Sequence, residues 1–188
     1  MKPYTTPALK PFFIKLTQKC FGELGLRDRE IVEYVAFVLT NFSRTENLYC
    51  IRDSTGKRLD SIVEMFIELN SYFHQENRSS LFREMEIYQH IGDYTLFMTG
   101  IFKEYLERLD LVDFYLFEGK KSYEKAADIK GKLYEAGGML LRELSYYLEF
   151  YVGALHFMKR TYFAKSMMVD DPFEDFLKQL EDKIQQLI

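Results

Sequence analysis

Three histidines, His74, His90 and His156, and two cysteines, Cys20 and Cys50, are the strong nitrogen and sulfur ligands of a 188-residue chain. The histidines fall in three separate helical contexts, so a tri-histidine zinc site is not expected. Glu86, His90 and Asp93 are spaced by four and three residues, which places all three on one side of a helix and makes half of a mononuclear metal site. A carboxylate-bridged di-iron bundle needs Glu-x-x-His on two helices, and that motif does not occur. Glu64 and Glu68 resemble the missing half, yet they lie opposite the apolar stripe of their own segment and are expected to be solvated. The sequence therefore predicts no bound metal and no cofactor.

His90 and Asp93 also invite an acid–base reading, as base and orienter at a point where one helix face passes from polar into apolar surroundings. No nucleophile or oxyanion donors accompany them, so the favoured reading is a hydrogen-bonded polar pair at the rim of a core, and no catalytic residue is assigned. Two Gly-Lys pairs, Gly56-Lys57 and Gly119-Lys120, fail as phosphate loops. Neither has the upstream glycine, the hydroxyl residue directly after the lysine and the preceding strand together. A nucleophile elbow, a Cys-x-x-Cys pair and a glycine-rich dinucleotide fingerprint are all absent from the sequence.

Eight Met, 14 Tyr and 17 Phe, with no Trp, can pack a core or line an apolar pocket, and core packing is favoured. Tyr146, Tyr147, Tyr151 and Tyr162 stand out because a phenol buried in a helical bundle needs a hydrogen-bond partner. The run His90-Ile-Gly-Asp-Tyr-Thr-Leu-Phe-Met-Thr-Gly-Ile-Phe resembles a stretch in an uncharacterised bacterial helical protein family with no assigned activity. The resemblance covers residues 90–102 only, implies a bacterial origin and carries no function.

These residues must be positioned by helices. Glycine and proline number 10 and 4, and three of the prolines lie in the first 11 residues, which leaves long unbroken stretches. Apolar residues recur at steps of three and four, and the expected fold is an all-α, single-domain helical bundle of six or seven helices spanning residues 1–188. The first helix runs from about Pro11 to Leu24, with Gly22 and Gly25 at its end. The second, capped by Asp28, runs from Arg29 to Phe42. Residues 43–58 are irregular, with turn chemistry at Asp53-Ser54-Thr55-Gly56.

A third helix is expected from about Leu59 to Phe73, buried through Ile62, Phe66, Leu69 and Phe73. A fourth runs from about Ser80 to Phe102, its second half apolar all round and so enclosed. A fifth opens at Asp110 and runs to about Ile129, with Gly131 separating it from the sixth. That sixth element is the one long helix of the C-terminal half: its apolar residues step from Leu133 to Tyr162, which if continuous spans about 45 Å at 1.5 Å per residue. Asp171, Pro172 and Glu174 start a final helix.

Composition bounds the function. A hydrophobic fraction of 47% with a net charge of only −4 excludes a disordered chain. No apolar run approaches the roughly 20 residues of a membrane span, and the N-terminus lacks the pattern of a signal peptide, so a cytoplasmic location and no membrane partner are expected. Cys20 and Cys50 are then expected as buried free thiols. Basic residues are too dilute for a nucleic-acid footprint.

The expected function is non-enzymatic: protein–protein binding through self-association as a homodimer. The candidate interface is Met139, Tyr146, Phe150 and Phe157, a second apolar strip on the sixth helix roughly 120° from its main stripe, where Gly153 and Ala154 permit close approach. A small-molecule or metal site near Glu86, His90 and Asp93 is the alternative.

Overall fold

The computed structural model describes residues 9–72 and 77–163. Every regular element among them is helical: α1 (Leu9–Glu23), α2 (Arg29–Phe42), α3 (Thr45–Leu48), α4 (Ile62–Asn70), α5 (Arg78–Ile101), α6 (Lys103–Arg108), α7 (Val112–Leu133), α8 (Gly138–Tyr146) and α9 (Leu148–Met158), followed by a π-helical turn at Lys159–Phe163. The fold class is all-α, as the periodicity predicts. No helix among the described residues is long and apolar enough to cross a membrane. His74, Phe73 and the segment at Asp171, Pro172 and Glu174 lie outside the described residues.

The chain divides into two compact units, one comprising the residues up to Leu48 and those from Ala154 onward, the other Tyr49–Gly153. In the first, α1 packs on α2 through Phe13, Thr17, Cys20 and Phe21 against the apolar face of α2, which buries Ile31, Val35, Leu39 and Phe42. Asp28 caps α2 by accepting from the Ile31 amide at 3.1 Å, satisfying one of the orphan donors of the first turn. The Tyr162 hydroxyl donates to Glu23 at 2.6 Å. This partner carboxylate pushes the phenol up to about 12.

In the second unit α5 and α7 form the main helix pair, and α8 packs on α7. Two glycines let the first pair approach closely. A Cβ on Gly92 would sit 2.6 Å from the Tyr123 ring, and one on Gly119 would sit 2.4 Å from the Thr95 side chain. From Tyr94 to Ile101 every residue of α5 is buried, which is why that half is apolar all round. The segment before α4 forms a tight turn in which Asp53 Oδ1 accepts from the Thr55 and Lys57 amides at 2.8 and 2.9 Å, while Gly56 takes a φ of 88°.

Several boundaries and faces differ from the sequence reading. α4 begins after Ser61, whose hydroxyl accepts from the Glu64 amide at 3.2 Å, and it buries Met65 and Glu68 beside Ile62 and Leu69 while Val63 and Ile67 stay exposed. Glu68 is thus not solvated: the buried carboxyl accepts from the Tyr72 hydroxyl at 3.0 Å. α7 starts after Leu111 because Asp110 has a φ of 56°, a left-handed conformation that ends a preceding turn instead of opening a helix. It also runs through Gly131 to Leu133.

The long sixth helix is broken, so the count of helices rises above six or seven. Leu133 ends α7, Tyr134 turns left-handed at φ 58°, and Gly137 at φ 86° precedes α8. A second break lies at Tyr147, with φ −106° and ψ 21°, where the Ser145 hydroxyl donates to the Lys120 carbonyl at 2.9 Å. The longest described helix is instead α5, whose 24 residues span about 36 Å. An apolar rhythm of threes and fours persists across such a break, because consecutive helices over one core keep their buried sides in register.

Candidate functional site

α5 carries Glu86, His90 and Asp93, and the Asn77 side chain caps its start by accepting from the Ser80 amide at 2.9 Å. The three residues share one side of the helix but engage different partners. Glu86 sits at the surface, 61% exposed, paired with Arg83 at 3.2 Å. His90 is buried, with its Nδ1 3.7 Å from the Cys50 sulfur. Asp93 is buried as well and accepts from the Tyr123 hydroxyl of α7 at 2.8 Å. Among the described residues no group of three or more His, Cys, Asp or Glu side chains could hold a metal ion.

Cys50 departs from the expectation of two buried thiols. Both cysteines are free, but only Cys20 is buried, where its thiol donates to the Ala154 carbonyl at 3.5 Å. Desolvation pushes Cys20 up to about 11. Cys50 is exposed as a residue, yet the desolvation of its sulfur beside His90 also raises the thiol above its ordinary value. A raised thiol is a poor nucleophile at neutral pH, since the thiolate does the attacking.

A tyrosine cluster next to His90 is the polar feature that the sequence reading missed. The Tyr94 phenol hydrogen-bonds with those of Tyr49 and Tyr115, with ring centroids 6.4 and 6.2 Å away. The Arg58 guanidinium lies over the Tyr49 ring at 5.4 Å. Burial pushes Tyr94 well above the usual phenol range and Tyr115 up to about 12, so these phenols stay neutral and serve as hydrogen-bonding groups. The available signal was Tyr94 at the centre of an all-round apolar helix, where a phenol demands a partner.

The four tyrosines singled out by the sequence behave differently. Tyr151 is buried and donates to Glu143 at 2.9 Å, Tyr162 donates to Glu23, and Tyr146 and Tyr147 are exposed, stacked edge to face 4.7 Å apart. Both Gly-Lys pairs have structural roles: Lys57 pairs with Glu64 at 3.1 Å, and Lys120 with Glu149 at 2.7 Å, joining α7 to α9.

Among the described residues, the candidate interface residues are exposed to different degrees. Met139 is 86% exposed, Tyr146 76%, Phe150 47% and Phe157 37%. On α9 nothing among the described residues comes within 4 Å of where a Cβ on Gly153 would stand. No protein-family model, curated protein or solved structure matches this chain. Function rests on the chain's own chemistry.

Proposed function

We propose that the chain is a non-enzymatic helical protein that works by binding another protein surface, and that its first partner is a second copy of itself. The observation that carries this reading is the exposed apolar face of α8 and α9: Met139, Tyr146 and Phe150, with Phe157 two turns further along α9. A large aromatic left in water gives up roughly 1.5–3 kcal/mol that burial would return, and aromatics and Met are the residue types enriched at the cores of interfaces. The polar cluster at His90, Asp93, Tyr123 and the three tyrosines is by contrast closed on itself, with partners inside the second unit. That favours a structural role for Glu86, His90 and Asp93 over a small-molecule or metal site. A reducing, cytoplasmic setting fits the two free thiols.

Light scattering coupled to size-exclusion chromatography tests the reading on surface variants. Phe150→Glu, and separately Phe157→Glu, should convert the dimer to a monomer while the far-ultraviolet circular dichroism stays that of the parent. Unchanged dimer mass in both variants would remove this face as the interface.

A further inference from the structure

Residues 171–188 lie outside the described residues, and their sequence carries an apolar stripe that needs a cover. At 100° per residue, Phe173, Phe176, Leu177, Leu180, Ile184 and Leu187 fall within about 100° of one another, in the segment that Asp171, Pro172 and Glu174 start. We propose that this segment docks within its own chain, as a helix antiparallel to α1, with its apolar stripe over Leu9, Phe12 and Leu16.

The surface of α1 and the place where the described chain stops both point there. α1 buries one side through Phe13, Thr17, Cys20 and Phe21, but Leu9, Phe12 and Leu16, at steps of three and four, form a second strip beside it. Leu9 and Leu16 are half-buried, and Phe12 is exposed. Glu23, about two turns beyond Leu16, continues the same line. At that end the Tyr162 hydroxyl donates to Glu23, and the Lys19 ammonium lies 4.8 Å from the centre of the Tyr162 ring. Residues 164–170 can then reach up to about 23 Å, enough to turn the chain back along the 15 residues of α1, a helix about 22 Å long.

Charge selects the occupant. Lys15 and Lys19 are exposed along one edge of the strip, and Glu23 is the only acid of α1. From Asp170 to Ile188 the chain has six acidic and two basic residues, and Glu174 and Glu181 border the apolar stripe where a neighbouring helix would meet them. The same strip of a second copy would instead set lysines against lysines. The docking stays inside one compact unit, which joins the residues up to Leu48 with those from Ala154 onward.

Hydrogen exchange of the full chain, read by mass spectrometry, tests the docking. Amides of 173–188 should be protected in the parent, and Phe12→Asp should speed their exchange about tenfold or more while α2 keeps its protection. Lys15→Glu combined with Lys19→Glu should do the same without touching the apolar strip, and adding Glu174→Lys and Glu181→Lys should restore most of the protection. Free exchange of these amides in the parent overturns the proposal. Protection that survives both sets of α1 substitutions overturns it too, as does protection lost on dilution, which would assign the covering surface to a second copy.

Discussion

Tyr123 on α7 donates its hydroxyl to Asp93 on α5 across 2.8 Å, with both side chains buried and the ring of the same tyrosine packed where a Cβ on Gly92 would stand. One residue thus fixes both the separation of the two central helices and the polar contact between them. Tyr123→Phe keeps the ring and removes the donor. The expected cost is about 0.5–1.5 kcal/mol, the range for a typical intramolecular hydrogen bond, read as a lower urea midpoint at unchanged slope. A change below about 0.5 kcal/mol would show that the contact contributes little.

The glycines of the helix pair separate sterics from propensity. Replacing glycine by alanine inside a helix stabilises by about 0.5–1 kcal/mol when nothing opposes it. Gly153→Ala should raise the melting temperature of monomeric protein for that reason. Gly92→Ala and Gly119→Ala should lower it, because the added methyl meets the Tyr123 ring at 2.6 Å and Thr95 at 2.4 Å, and such overpacking costs about 1–3 kcal/mol. Equal shifts at all three positions would contradict the close approach of α5 and α7.

Alkaline pH should destabilise the second unit through its buried phenols. Tyr94 and Tyr115 have folded values above the ordinary 10 of a phenol, so between the unfolded and folded values the native state holds more protons than the unfolded state. The stability they give is fully present below about pH 10 and is lost as pH rises toward the folded values, at up to about 1.4 kcal/mol per pH unit for each phenol. Unfolding free energies measured from pH 8 to pH 11.5 should fall more steeply in the parent than in Tyr115→Phe or Tyr94→Phe. Identical slopes would place the loss elsewhere.

Thiol chemistry should distinguish the two cysteines. An aromatic disulfide reagent at pH 8 should label one thiol per native chain, at Cys50, and two after denaturation, because Cys20 is buried and its thiol is raised to about 11. Rapid labelling that survives Cys50→Ser would show that Cys20 is reached in the native state.

How much of this was legible in the residues depended on whether a feature was local. The caps at Asp28 and the turn at Asp53 were, because the side chain and the amide it satisfies lie within four residues. The enclosed half of α5 was, because a helix apolar on every side has one physical explanation. The breaks at Tyr134 and Tyr147 were not, since a left-handed tyrosine goes against preference and is imposed by the packing of α8 on α7. The partners of Asp93 and Tyr94 were equally out of reach. Tyr123 lies 30 residues from Asp93, and Tyr49 lies in the stretch 43–58 read as irregular.

The central claim is that the exposed face of α8 and α9 is covered by a second copy, and the solution mass of the unmodified chain tests it most directly. Sedimentation equilibrium over a concentration series should return twice the chain mass of 22.5 kDa at tens of micromolar, with dissociation on dilution. A single species of 22.5 kDa across the whole series would contradict the account.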